Sequence, residues 1–197
     1  MSAAELSLWF DFASTYSYPS VMTAEARAAA RGLRLRWRPV LLGPIFAAQG
    51  WRDSPFNLYP AKGRYMWRDL ERICATEGLP WRQPEIFPAH SLLAARVSVA
   101  GRETPWLGDF VRGVFRAQFA DGSDIAKPET LAAVLAEIGA GGEALEAAAS
   151  EPVKQTLRAE VAEAQRLGLF GAPSFTVGEE LFWGHDRMAA ALDWAGR

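Results

Sequence analysis

Two serines three residues apart, Ser14 and Ser17, sit in the stretch DFASTYSYPS, after the apolar run Leu6, Leu8, Trp9, Phe10 and before an alanine-rich segment. Two chemistries suit a hydroxyl where a strand hands over to a helix. As an N-cap, its oxygen accepts from a backbone N–H left free in the first turn, an interaction worth about 1 kcal/mol. As a donor, it stabilises an anion seated at the positive end of the helix. A second stretch, Gly171-Ala172-Pro173-Ser174, reads either as an ordinary turn or as an exposed backbone edge beside a proline. Other reactive residue types are sparse: one cysteine, Cys74, and two histidines, His90 and His185. Cys74 shares a helical face with Met66, Leu70 and Ile73, the pattern of a buried small hydrophobe. A single thiol excludes an intrachain disulfide, and the Cys/His count is too small for a zinc site, so no metal is expected. A relay of Ser14, His185 and Asp186 is disfavoured, because Ser14 lacks a G-x-S-x-G setting and adjacent His and Asp are poorly spaced.

The elements that must hold these residues follow from periodicity. A strand is expected over about 5–11, a helix over about 17–31 ending near Gly32, and a strand over about 33–39. In the last of these, Leu33, Leu35 and Trp37 alternate with Arg34, Arg36 and Arg38, the period of a half-buried strand. This β-α-β opening belongs to an α/β sheet. A loop rich in Gly and Pro, LLGPIFAAQGWRDSPFNLYPAKGRY, leads into a helical block. Leu131, Val134, Leu135 and Ile138 form one apolar stripe in that block, and Val153, Leu157, Val161 and Ala164 another, preceded by Ser150 and Pro152 as start signals. SFTVGEELFWG offers two short strands around Gly178-Glu179-Glu180, and HDRMAAALDWAGR a closing helix capped near Asp186.

At 197 residues, half of them apolar, the chain is long enough for a substantial core. A net charge of −2 argues against nucleic-acid or anionic-membrane partners. The N-terminus lacks a signal-type pattern, and no apolar run approaches the roughly 18 residues of a membrane helix. The expected location is cytoplasmic.

A β-α-β unit, a long helical stretch, then β-β-α is the layout of a thioredoxin-like α/β fold with a large helical insertion. The expected division is 1–62 and 168–197 for the thioredoxin-like domain and 63–167 for the inserted helices. In this layout the first strand-to-helix turn commonly carries Cys-x-x-Cys, its thiolate stabilised by the helix N-terminus. Here both positions are serine. A serine cannot exchange disulfides, but it can donate a hydrogen bond to the thiolate of a bound thiol, and glutathione is the natural small thiol of the cytosol. The proline before the third strand is expected to be cis, exposing the backbone of Ala172 so that an extended peptide can pair there as an added strand.

With these blocks in place, the chain resembles the 2-hydroxychromene-2-carboxylate isomerases, which with kappa-class glutathione transferases form a DsbA-like branch of the thioredoxin superfamily. The likeness spans essentially the whole chain: DFASTYSYPS, PVLLGPIF, SPFNLYPAKGRYMWRDLER, FPAHSLLAAR, GLFGAPSFTV and FWGHDRM occur in order with compatible spacing. The resemblance implies that the Ser14 hydroxyl meets the sulfur of glutathione, the cofactor. It implies that Ala172 makes backbone contacts beside a cis Pro173, that Asp186 with His185 receives the γ-glutamyl end, and that Lys62 with Asn57 holds other polar groups of the tripeptide. A homodimer and a small aromatic substrate are implied with them. Two positions depart from the family pattern, Thr15 in place of a proline and His185 in place of Asn or Ser.

The activity expected from this reading is cis-trans isomerisation of 2-hydroxychromene-2-carboxylate or a similar aromatic 2-oxo acid, with glutathione regenerated. Conjugation of electrophiles by the same thiol site, and a noncatalytic peptide-binding module in which Ser14 and Ser17 are only caps, are the alternatives. The eight tryptophans, Trp51, Trp67 and Trp183 among them, suit either a pocket or a core. Because neither turn position is a thiol, the protein is expected to leave insulin disulfides unreduced, as wild type and as Cys74→Ser. Thioredoxin-like turnover in both, measured by the insulin turbidity assay, would overturn this reading of the turn.

Overall fold

The computed structural model describes residues 4–197. β1 (Glu5–Phe10) passes through α1 (Ser17–Ala29) to β2 (Arg34–Pro39), which pairs parallel with it, Leu6 opposite Leu35 and Leu8 opposite Trp37. Helices then follow in succession: α2 (Leu42–Ala48), α3 (Pro55–Leu58), α4 (Pro60–Glu77), α5 (Leu92–Ala100), α6 (Leu107–Phe119), α7 (Pro128–Glu137), α8 (Glu143–Ala147) and α9 (Glu151–Arg166). The chain returns to the sheet in β3 (Ser174–Val177) and β4 (Glu180–Trp183), makes a 3-10 turn over His185–Arg187 and closes with α10 (Met188–Ala195). The sheet order is β2-β1-β3-β4, with β3 antiparallel to β1 and β4 antiparallel to β3.

β1 is interior and covered on both faces, which is why its sequence is an almost unbroken apolar run. Alternate side chains divide between two apolar clusters. Leu6, Leu8 and Phe10 join Val21 of α1, Phe115 of α6 and Met188 of α10, while Trp9 points the other way to Val40, Ile45, Val161 and Ala164. Trp9 also donates from Nε1 to Thr176 Oγ1 at 2.9 Å, and the Arg38 guanidinium lies 4.0 Å over its ring. β2 lies at the sheet edge, so its Leu/Trp-with-Arg alternation survives as half-buried and exposed positions. The larger cluster runs without interruption from the sheet into Leu131 and Leu135 of α7, so sheet and inserted helices share one core.

The segment read as a Gly/Pro loop after β2 contains α2, α3 and the start of α4. The prolines there begin helices instead of breaking them. Pro55 and Pro60 occupy first helical positions, where the missing N–H costs nothing, and Ser54 accepts from Phe56 N–H. α3 packs closely on α4 because residue 63 is glycine; a Cβ there would stand 2.3 Å from the Phe56 carbonyl oxygen.

Neither candidate cap at the start of α1 is a side-chain cap. The residue preceding the helix is Tyr16, with no side-chain cap hydrogen bond, and the Ser17 hydroxyl is buried with no partner among the described residues. The cap reading of Ser17 is therefore corrected: its oxygen packs within the core and satisfies no backbone donor. An unpartnered buried hydroxyl is a net cost, so Ser17→Ala is expected to leave stability unchanged or raise it by up to about 1 kcal/mol. Chemical denaturation reads this directly; a loss of about 1 kcal/mol would restore the cap.

Candidate functional site

The turn after β1 is organised by Asp11, whose carboxylate is buried. Its Oδ1 accepts from Ala13 N–H at 2.9 Å and its Oδ2 from Leu42 N–H at 2.7 Å, with a further hydrogen bond from Ser91. Its backbone carbonyl accepts from Ser14 N–H at 2.8 Å. One side chain thus ties the end of β1 to the turn, to the start of α2 and to the residue before α5. Burial raises its pKa above the ordinary 3.8, with the Leu42, Ser91 and Ala13 hydrogen bonds working against that rise.

The turn presents Ser14 to the other half of the sheet. Its Oγ donates to the Ala172 carbonyl at 2.8 Å across 158 residues of sequence, and the Ala172–Pro173 bond is cis, as the layout predicts. A second cis bond, Phe87–Pro88, lies in the segment before α5 and went unanticipated. Gly184 N–H donates to the Pro173 carbonyl at 2.9 Å and fixes that corner to the end of β4. The N–H groups of Ala172, Thr15 and Tyr16 find no acceptor among the described residues. They leave one strand-edge donor and two helix-start donors next to the Ser14 hydroxyl.

Beside this corner opens a cavity of about 1170 Å³. It brings together Ser14, Lys62, Ala172, Pro173, His185 and Asp186. Asn57 is placed differently: it is exposed and outside the lining, and its side-chain amide donates to both oxygens of Asp53 at 3.1 and 3.2 Å. Trp51 and Trp183 line the cavity, whereas Trp67 packs against Trp81 and Phe87. The Asp186 carboxylate does not cap α10; it is exposed, 3.6 Å from Arg187. His185 turns both ring nitrogens toward protein, Nδ1 at 3.0 Å from Ser20 Oγ and Nε2 at 3.6 Å from Glu77, which is itself paired with Arg27 at 2.6 Å.

Several lining residues carried no expectation from sequence. Tyr16 donates to Asp69 at 3.0 Å with Tyr65 on the other oxygen at 3.5 Å; burial, then Asp69, raise the Tyr16 pKa. Arg52 and His90 also line the wall. The signal for Asp11 was present in an acid closing an apolar strand before a turn. Tyr16 and Asp69 meet only because α1 packs against α4. Cys74 is buried, its thiol pushed up to about 11 by desolvation and then Glu77, so it is inert and remote from thiolate chemistry. Among the described residues no group of His, Cys, Asp and Glu could hold a metal ion, and no helix is long and apolar enough to cross a membrane.

A family model of the DSBA-like thioredoxin domain matches residues 5–193. The chain belongs to that family. It is 26% identical over 185 residues to 2-hydroxychromene-2-carboxylate isomerase of Sphingobium xenophagum, covering 93% of each chain. A solved structure of 2-hydroxychromene-2-carboxylate isomerase superposes with a TM-score of 0.88 at 23% identity, over 98% of this chain and 95% of that one. The cytosolic disulfide reductase DsbM of Pseudomonas aeruginosa, solved with GSH, superposes with a TM-score of 0.68 at 21% identity, over 97% and 95%. At these identities the superpositions speak to the fold of this DsbA-like chain.

The placement of His185 gives the family member a pH dependence. Burial lowers its pKa below the ordinary 6.5, Arg27 lowers it further, and Glu77 with Asp186 opposes them. Between the lowered native pKa and 6.5 the unfolded chain binds more protons than the native one, so stability is complete above 6.5 and falls as the pH drops through this window. Denaturant titrations from about pH 7.5 to about pH 5 are expected to show a larger stability loss for wild type than for His185→Gln. Equal losses would mean that the imidazole enters the native state as readily charged as neutral.

Proposed function

We propose that this protein is a glutathione-dependent isomerase that converts to trans the cis double bond of the 2-oxo acid formed when the ring C–O bond of 2-hydroxychromene-2-carboxylate opens, or that of a similar aromatic 2-oxo acid. The observation that carries the reading is the Ser14 hydroxyl resting on the Ala172 carbonyl beside the unpaired Ala172 N–H, at the edge of the cavity. An extended peptide pairing at Ala172 needs one acceptor and one donor there. The donor is free, and the acceptor is engaged only by a rotatable hydroxyl. A ligand N–H that takes over the Ala172 carbonyl releases the Ser14 hydroxyl to turn toward the ligand's cysteinyl sulfur.

Glutathione, when bound, would supply a thiolate for reversible addition to the conjugated double bond, the displaced electron pair resting on the 2-oxo group and returning to expel the thiolate after rotation, so that glutathione is not consumed. Ser14 donates to that sulfur, and the Thr15 and Tyr16 N–H groups add the positive potential of the helix start. Lys62 takes a carboxylate of the tripeptide and Asp186 its γ-glutamyl ammonium, while His185, its nitrogens engaged, positions Asp186. Asn57 contributes only by leaving Asp53. The cavity exceeds the range of about 300–1,000 Å³ usual for small-molecule sites and accommodates tripeptide and substrate side by side.

The isomerase relatives and the whole-chain coverage support this reading over disulfide reduction, the activity named for DsbM, because the turn here has no thiol. Conjugation would use the same corner and differ in stoichiometry: glutathione is recovered in full after isomerisation and lost one for one after conjugation. Ser14→Ala is expected to raise the thiol pKa of bound glutathione and lower turnover about 10–100-fold, the worth of a hydrogen bond to a charged group, while affinity falls less. Thiol titration beside steady-state rates checks this. Wild-type rate and thiol pKa in Ser14→Ala would defeat it.

A further inference from the structure

The cavity contains a positive group that the proposed glutathione contacts leave unused. Arg52, between α2 and α3, is the only arginine among its lining residues and is exposed. It forms no ion pair among the described residues. The carboxylate next to it is engaged by other donors: Asp53 accepts from Ser54 N–H at 2.6 Å and from the Asn57 amide with both oxygens. The guanidinium therefore has a local anion within one residue and does not pair with it.

An aromatic surface adjoins it. Trp51 N–H donates to the Phe46 carbonyl at 2.9 Å, and the Phe46 and Trp51 rings lie 5.5 Å apart at 48°, both on the cavity wall. A planar cationic fork and an aromatic pair lining one cavity match a planar anion with an aromatic end. In a 2-oxo acid, a carboxylate oxygen and the adjacent keto oxygen present coplanar acceptors to such a fork, in a geometry that a lysine ammonium does not reproduce.

We propose that Arg52, with the Phe46–Trp51 pair, is the subsite that binds the carboxylate and ring of an aromatic 2-oxo acid and selects anionic over neutral substrates. This rests on the isomerase reading for the identity of the ligand. It assigns the substrate to the segment between α2 and α3, in the same cavity as the Ser14–Ala172 corner.

The test is a titration of the glutathione-free protein with trans-benzylidenepyruvate and, separately, with its methyl ester, followed by tryptophan fluorescence and calorimetry. Wild type is expected to bind the acid more tightly than the ester. Arg52→Gln is expected to weaken acid binding about 10-fold or more and to leave the ester unchanged, Arg52→Lys to recover only part of the loss, and Trp51→Leu to weaken both ligands. The idea is overturned if Arg52→Gln binds the acid as wild type does, if it loses acid and ester alike, or if wild type binds no acid at all. Because the titration contains no glutathione, the two Arg52→Gln failures count against the subsite alone, whereas a wild type that binds no acid counts also against the ligand that the isomerase reading supplies. An intact subsite without thiol-dependent turnover counts against the isomerase reading.

Discussion

The antiparallel pairing of β3 with β1 is the constraint from which the rest of the site follows. Leu8 lies opposite Phe175 and Trp9 opposite Ser174, so the residues just beyond each strand are brought to one end of the sheet. Ser14 therefore meets Ala172 although 158 residues separate them. The pairing is held from both faces, by Leu8 and Phe175 in the main cluster and by the Trp9 indole on Thr176 behind. A one-residue slip would turn Trp9 toward the wrong cluster and move Ala172 away from the turn.

Asp11 converts that strand alignment into a defined turn. A carboxylate taken out of water is costly unless it is hydrogen-bonded, and here Ala13, Leu42 and Ser91 supply the donors. Each donor belongs to a different part of the cavity wall, so the group that shapes the turn also sets the positions of α2 and α5. Sheet and inserted helices share one core, which makes the cavity between them a product of common packing. Its charged lining carries both signs, Lys62 and Arg52 with Asp53, Asp69 and Asp186.

The turn after β1 lacks the thiol that disulfide exchange requires. The start of α1, the cis Ala172–Pro173 bond and the Ser14 hydroxyl meet at one corner. A hydroxyl at this corner cannot exchange disulfides. The one cysteine of the chain sits in the core with its thiol pKa raised, and does not restore the lost chemistry.

Period-two alternation in β2, the apolar run of β1 and the stripes of α4, α7 and α9 were legible in the sequence, because burial of one face imposes its period on the side chains. So were the Ser14 turn and the Ala172–Pro173 corner, since local backbone geometry demands particular residue types at a strand-to-helix turn and before a strand. The helices α2 and α3 were not legible, because proline and glycine punctuate loops and also begin or pack short helices, and only the neighbours decide between the two. Ser14 and Ser17 have the same residue type and nearly the same local setting; one donates across the sheet and the other is buried without a partner. Asn57 and His185 likewise look available in the sequence, but Asp53, Ser20 and Glu77 engage them in the fold. Residue type determines what a side chain is able to bond. Which group stands within 3 Å of it is a property of packing between distant segments, and that only the tertiary structure decides.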